Sequence, residues 1–162
     1  MDHKIGNIVE EVTSGIIVQQ VNAQGVMGSG IAKEIRTKYP IVWDEYSAFI
    51  GPAYTQRDRG IWLLGQMIPV QVTKDLWICN IVGQQFFGRE PKRYTSYDAL
   101  DTAFNRLAAF AGDADLPVHF PLIGCGLGGA EWTIVKAIID SRLSGLQTTL
   151  WTLPGSDNEA VR

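Results

Sequence analysis

Twice in this chain a β-branched run gives way to a glycine cluster and then to a helical pattern. Ile16–Val21 is Ile/Val-rich and leads into Gly25-Val26-Met27-Gly28-Ser29-Gly30-Ile31-Ala32; Val118–Ile123 leads into Gly124-Cys125-Gly126-Leu127-Gly128-Gly129. A strand that turns through glycines into a helix is the unit from which layered α/β sheets are built. In such sheets ligands gather beyond the carboxyl ends of the strands.

The rest of the sequence supports that architecture. Gly30–Tyr39 has Ile31, Ile35 and Tyr39 at helical spacing, and Pro40 stops it. Ile41–Ile50 reads as a second helix closed by Gly51-Pro52. Trp62–Val72 and Leu76–Val82 read as antiparallel strands joined by Thr73-Lys74-Asp75, with Pro69 marking a bulge or an edge. Tyr97–Ala111 presents Leu100, Phe104, Leu107 and Ala111 on one face and is expected to end at Gly112. Trp132–Leu143 buries Trp132, Val135, Ile139 and Leu143, and Thr148–Leu153 is a last strand. The expectation is an α/β fold: a mixed central sheet with helices on both faces.

At 162 residues the chain is one domain long. We expect residues 1–154 to form it and 155–162 to be a polar tail that frays. Apolar residues make up 46% and charged residues 19%, which excludes a disordered chain. The net charge of −3 leaves no basic surplus for wrapping nucleic acid. Two cysteines, Cys79 and Cys125, make neither a disulfide framework nor a four-ligand zinc site. We expect no signal peptide, membrane span or lipidation motif, and so a cytoplasmic setting, with no cofactor and no metal.

Each glycine turn suits an anion. Glycines let a ligand approach the main chain, and the helix start behind them offers unpaired N–H groups. The helix after Gly30 carries no carboxylate in its first turn, and its first charge is Lys33. A helix tuned only for its own stability favours Asp or Glu there. Two such loops can hold the two phosphates of one diphosphate; the competing reading is that each is only a tight connection.

Other phosphate sites fit less well. Gly25 to Gly30 has P-loop spacing, but Ile31 and Ala32 stand where Lys and Ser/Thr are required. Gly124, Gly126 and Gly129 match G-x-G-x-x-G, yet Thr148–Leu153 carries no carboxylate for a ribose, and the chain leaves no room for further βαβ units. A nucleoside-diphosphate sugar remains. Trp151 offers an aromatic face for a base, against ordinary packing as the alternative. Asn22 offers a short amide for a sugar hydroxyl, against an Asx turn.

Several segments carry a resemblance to a known family: Ile5-Gly6-Asn7-Ile8; Ile17-Val18-Gln19-Gln20-Val21-Asn22-Ala23-Gln24-Gly25 and the glycine turn that follows; Pro121-Leu122-Ile123-Gly124-Cys125-Gly126-Leu127-Gly128-Gly129; and Leu150-Trp151-Thr152-Leu153. In that order and spacing they resemble a macro domain, the ADP-ribose-binding module. The branch is that of the small ADP-ribose-1″-phosphate phosphatases, the terminal ADP-ribose glycohydrolase of animals and the macro domains that remove ADP-ribose from DNA. Related small macro proteins occur in bacteria and phages.

The resemblance implies a three-layer α/β/α fold and a set of roles. Asn7 stands where the family has an Asp that grips the adenine amino group, and Ile8 offers its N–H to adenine. Asn22 contacts the distal ribose near the reacting carbon. Gly28, Ser29, Gly30 and Ile31 cradle that ribose and its phosphate. Gly124, Cys125, Gly126, Leu127 and Gly128 hold the diphosphate from the other side, and Trp151 flanks the adenine. Two departures bear on chemistry. The protein-directed glycohydrolase of this branch uses a Lys and an Asp; the Asp position falls at Gly128, and the loop from Gly83 to Glu90 has no lysine.

The function implied is hydrolysis at C1″ of an ADP-ribose derivative, ADP-ribose-1″-phosphate first, by a metal-independent phosphatase-like enzyme without a protein nucleophile. Asn22 would position the substituent and Gln84 a water or the leaving group. The alternatives are an ADP-ribose reader or scavenger without turnover and a glycohydrolase acting on ADP-ribosylated protein or DNA. ADP-ribose or a derivative is the expected partner, possible macromolecular partners being ADP-ribosylated ones; no membrane partner or direct nucleic-acid binding is expected. Glu131 reads as a dipole-compensating residue, His119 as structural and His3 as a surface residue. Arg89, Lys92 and Arg93 form a basic cluster beside the expected pocket.

Overall fold

The computed structural model describes residues 1–156. The strands are β1 (Asp2–Ile5), β2 (Gly15–Asn22), β3 (Met67–Gln71), β4 (Leu76–Gln84), β5 (Val118–Phe120) and β6 (Thr148–Thr152). The helices are α1 (Ile8–Glu11), α2 (Gly30–Lys38), α3 (Pro40–Ala53), α4 (Tyr97–Ala114) and α5 (Trp132–Arg142). One sheet of order β1-β6-β5-β2-β4-β3 joins all the strands. Every neighbouring pair is parallel except β3–β4, which is antiparallel. The expected mixed α/β sheet is present, with Pro69 on the edge strand β3, where its missing N–H breaks no central ladder.

Alternation along β2 fills both faces. Ile17 and Val21 point to one side and pack with Ile78 and Val82 of β4 under Ile35 of α2 and Val42, Tyr46 and Ile50 of α3. Ile16 and Val18 point to the other and pack with Cys79 and Ile81 under Leu100, Phe104 and Leu107 of α4 and Val135 and Ile139 of α5. A strand buried on both faces is the pattern of a central parallel strand. It brings the carboxyl ends of β2, β4 and β5 to one edge of the sheet.

Several expected boundaries move, each for a local reason. Trp62 is not in a strand: Gly60 and Gly65 both hold positive φ, and between them Ile61–Leu63 forms a 3-10 turn that leaves Trp62 80% exposed. Gly51-Pro52 does not close α3, which runs to Ala53; Pro52 lies in its last turn. Gly112 does not end α4. The helix continues to Ala114, where Asp115 takes left-handed φ and donates its N–H to Ala111 and Gly112 carbonyls. The strand from Val118 ends at Phe120, before Pro121. β1 and α1 escape the sequence reading because β1 is an exposed edge strand without apolar alternation and α1 is four residues long. Of the expected polar tail, Ser156 closes a turn onto the Leu153 carbonyl, and residues 157–162 lie outside the described ones. No described helix is long and apolar enough to cross a membrane.

Candidate functional site

A cavity of about 620 Å³ opens at the carboxyl ends of the central strands. Three segments wall it: Gln20–Asn22, Val26 and Gly28–Ala32 at and after the end of β2, Gln84 at the end of β4 with Phe87–Arg89 after it, and Pro121–Gly128 without Cys125 after β5. Both glycine turns therefore face one space.

The amides of both turns are available. Ser29 caps α2 without a side-chain hydrogen bond, and the first turn of the helix has no acidic residue. Among the described residues the N–H groups of Gly30, Ile31 and Ala32 donate to no protein acceptor, nor do those of Gly126, Leu127 and Gly128. Unpaired main-chain donors lining a cavity have the chemistry to receive an anion. Gly30 has φ of +57°, and a Cβ there would meet nothing within 4 Å. Gly128 differs: a Cβ would lie 2.5 Å from the Gly124 carbonyl oxygen and 2.5 Å from Thr95 Oγ1. No side chain fits at Gly128 with this packing, an aspartate included.

Asn22 ends β2 and organises the first loop. Its Oδ1 accepts from the Gln24 N–H at 3.0 Å and the Val26 N–H at 3.2 Å, and its Nδ2 donates to the Val26 carbonyl at 2.8 Å. That is the Asx turn of the competing reading, built into the cavity wall. One Nδ2 hydrogen remains. The buried Tyr46 hydroxyl of α3 donates to the Asn22 carbonyl, and burial pushes its pKa far above that of an ordinary phenol.

Gln84 ends β4 and joins a relay across three strand ends. Its Nε2 donates to the Phe86 carbonyl at 2.7 Å. Gln20 Nε2 donates to Gln84 Oε1 at 2.6 Å and to Thr95 Oγ1 at 2.9 Å, and the Thr95 hydroxyl donates to the Gly124 carbonyl at 3.2 Å. Gln84 too keeps a single amide hydrogen.

The remaining expected site residues lie outside the cavity lining. Asn7 caps α1, with Oδ1 accepting from the Val9 N–H at 2.9 Å and the Glu10 N–H at 3.4 Å, and Nδ2 donating to Glu34 Oε2 at 3.0 Å. Ile8 is a core side chain whose N–H donates to no acceptor among the described residues. Trp151 is 7% exposed. Its Nε1 donates to His119 Nδ1 at 3.2 Å, and Lys4 Nζ lies 5.3 Å from its ring centre. Cys125 turns its thiol to the Ile123 carbonyl, and burial raises its pKa to about 11. His3 Nε2 pairs with Thr152 Oγ1 at 2.8 Å. Glu131 caps α5 with no side-chain hydrogen bond, at a helix whose first turn has no acidic residue.

Of the basic cluster only Arg89 lines the cavity. Lys92 pairs with Glu90 at 3.0 Å. The Arg93 guanidinium stacks 4.2 Å from the Tyr97 ring centre and donates to the Thr95 carbonyl. Tyr46, Gln20 and Thr95 were not legible as site residues. Val42, Tyr46 and Ile50 share helical spacing, so Tyr46 reads as core; its only polar signal is a hydroxyl that needs a partner when buried.

No family model and no curated protein sequence matches the chain, but solved structures do. A Bacteroides thetaiotaomicron protein of unknown function superposes with a TM-score of 0.81 at 24% identity, over 93% of this chain and 96% of that one. A macrodomain protein from Streptomyces coelicolor gives a TM-score of 0.75 at 26% identity, over 93% and 97%. The Trypanosoma brucei macrodomain in complex with ADP-ribose gives 0.65 at 15% identity, over 93% of this chain and 62% of that one. The chain has the macro-domain fold, as its resemblance implied.

Proposed function

We propose that the cavity binds ADP-ribose derivatives and hydrolyses them at C1″, with ADP-ribose-1″-phosphate as substrate. The observation that carries the reading is the pair of facing glycine turns whose unpaired amides line one cavity. A diphosphate bridges them, Gly30–Ala32 on one side and Gly126–Gly128 on the other. The solved T. brucei macrodomain complex with ADP-ribose supports the choice of ligand.

The strand order supports one orientation of the ligand in this reading. The adenine lies toward β1 and β6, near the free Ile8 amide. The distal ribose lies over the ends of β2 and β4, beside Asn22 and Gln84, which are register partners. Each presents one amide hydrogen. An amide N–H donates and takes no proton, so these groups hold a ribose or departing oxygen and do not deprotonate water. Water attacks C1″ as the C1″–O bond breaks; the electron pair leaves on the phosphate oxygen, and the water's proton passes to the ligand's diphosphate or to solvent. Catalysis is positioning and electrostatics. The Lys/Asp route is not used, since Gly128 admits no carboxylate. A cytoplasmic bacterial or phage-infected setting fits this reading.

One observation favours binding without turnover: none of the described residues that line the cavity carries a carboxylate, imidazole, ammonium or thiol group. Incubation with ADP-ribose-1″-phosphate, ADP-ribosylated protein and ADP-ribosylated DNA separates the readings. Phosphate release from the first is expected. ADP-ribose binding with no product from any of the three makes the protein a reader; release from protein or DNA alone makes it a glycohydrolase.

A further inference from the structure

The second glycine turn is held from outside. Gly124 and Gly129 take left-handed φ of +73° and +69°, and Gly126 and Gly128 lie between them. A run so rich in glycine has many backbone states open to it and needs a restraint to keep one. The restraint comes from residues 92–95, the segment before α4. A Cβ on Gly129 would meet the Lys92 carbonyl oxygen at 2.6 Å, so that segment lies directly against the turn.

Thr95 binds both ends of the turn. Its hydroxyl donates to the Gly124 carbonyl at 3.2 Å. Its N–H donates to the Gly128 carbonyl at 3.0 Å, beside the Tyr94 N–H at 2.9 Å. The N–H groups of Gly126, Leu127 and Gly128 lie between these two anchors and donate to no acceptor among the described residues. One buried residue therefore spans the stretch of backbone that presents them.

Gln20 sets which way the hydroxyl points. Its Nε2 donates to Thr95 Oγ1 at 2.9 Å, which leaves the Thr95 hydrogen to donate to Gly124. The other Nε2 hydrogen goes to Gln84 Oε1 at 2.6 Å, and Gln84 and Thr95 also pair as a backbone bridge. The first turn is held in a similar way, by Asn22 on the Gln24 and Val26 amides. Donors fixed in advance receive an anion without first having to be ordered, and that ordering is what a loose turn subtracts from affinity.

We propose that Thr95 is the positioning residue of the second turn: acting through the Gly124 and Gly128 carbonyls, it holds the Gly126, Leu127 and Gly128 amides ready for a ligand's diphosphate, and Gln20 aligns its hydroxyl. The assignment rests on the ADP-ribose reading above.

Two substitutions at Thr95 test it. Thr95→Val removes the hydroxyl at nearly constant shape, and the Gly124 carbonyl keeps the Ala130 N–H at 2.8 Å, so it is not orphaned. Thr95→Ser keeps the hydroxyl. Calorimetry with ADP-ribose is expected to show about tenfold weaker binding by Thr95→Val and a change of less than about twofold in Thr95→Ser. Amide NMR spectra of the ligand-free proteins read the turn directly. Thr95→Val is expected to shift or broaden the Gly126, Leu127 and Gly128 signals and to leave those of Gly30, Ile31 and Ala32 in place. Wild-type affinity in Thr95→Val overturns the proposal, as does a serine variant as weak as the valine one or an equal disturbance of both turns. Should Thr95→Val not fold, Gln20→Leu frees the hydroxyl without touching the threonine. It is expected to move the same second-turn signals, and unmoved signals overturn the proposal. Failure of wild type to bind ADP-ribose overturns the functional reading and the diphosphate with it; the ligand-free spectra then still decide whether Thr95 holds the turn.

Discussion

The Tyr46 hydroxyl donates to the carbonyl of Asn22, and the hydroxyl oxygen lies 3.1 Å from Asn22 Oδ1. A core tyrosine on α3 thus anchors the backbone of the residue that shapes the first glycine loop, its one hydroxyl hydrogen going to the carbonyl. Removing the hydroxyl leaves a buried carbonyl without its donor, which costs roughly 1–3 kcal/mol. Tyr46→Phe is therefore expected to lower the thermal midpoint and to weaken ADP-ribose binding through a loosened Gly25–Gly30 turn. Differential scanning calorimetry with and without ligand reads both effects. A variant of unchanged midpoint and affinity would show that the loop holds its shape without this bond.

Asn22 itself has two roles that different substitutions separate. Asn22→Ala removes the three loop bonds of the Asx turn and the spare amide hydrogen together. Asn22→Asp keeps the acceptor for the Gln24 and Val26 amides but loses the donor. Both are expected to abolish turnover and to lose roughly 1–3 kcal/mol of stability, the alanine variant through all three loop bonds and the aspartate variant through the Val26 carbonyl bond, which a carboxylate oxygen cannot make. Initial rates of phosphate release and urea unfolding curves check the two halves. Full activity in Asn22→Asp would make Asn22 a loop organiser only.

Glycines in the second loop predict opposite outcomes two residues apart. At Gly126 an added Cβ meets nothing within 4 Å, and φ is not in the left-handed region. Gly126→Ala is expected to keep the fold and to reduce ligand affinity where the methyl group crowds the diphosphate. At Gly128 the added Cβ strikes the Gly124 carbonyl and Thr95 Oγ1, both at 2.5 Å. Gly128→Ala is expected to lose roughly 1–3 kcal/mol of stability as the Thr95–Gly124 bond is displaced. Thermal midpoints of the apo proteins decide this; equal midpoints would contradict the close packing at Gly128.

The layered architecture was legible because β2, β4 and the helices α4 and α5 bury whole periodic faces. Leu100, Phe104, Leu107 and Ala111 are all buried at the spacing the sequence displays. β1 left no trace, since each of its residues is exposed and its identity comes from pairing with β6. Trp62 misled because an apolar run was interrupted by two positive-φ glycines whose conformation composition does not reveal. At the site, the glycine turns could be read because their function resides in backbone N–H groups. The Gln20–Gln84–Thr95 relay could not, because its members come from three separated segments and meet only when β2 and β4 pair.

A last expectation concerns pH. His119 is half-buried on β5, its Nδ1 accepting from Trp151, and its pKa is lowered from 6.5 by burial first and by the nearby Lys4 charge second. The unfolded chain therefore binds this proton more readily than the native one. Stability from the neutral ring is complete above about 6.5 and falls as pH drops below that value toward the depressed native pKa. Wild type is expected to lose thermal stability on acidification across this interval. His119→Asn is expected to start less stable at neutral pH, because Trp151 Nε1 loses its ring partner, and to show a flatter dependence. Lys4→Ala is expected to raise the His119 pKa, so that the acid loss is smaller. Midpoints collected from pH 5 to pH 8 for the three proteins test this, and parallel curves for wild type and His119→Asn would assign the acid sensitivity to other groups.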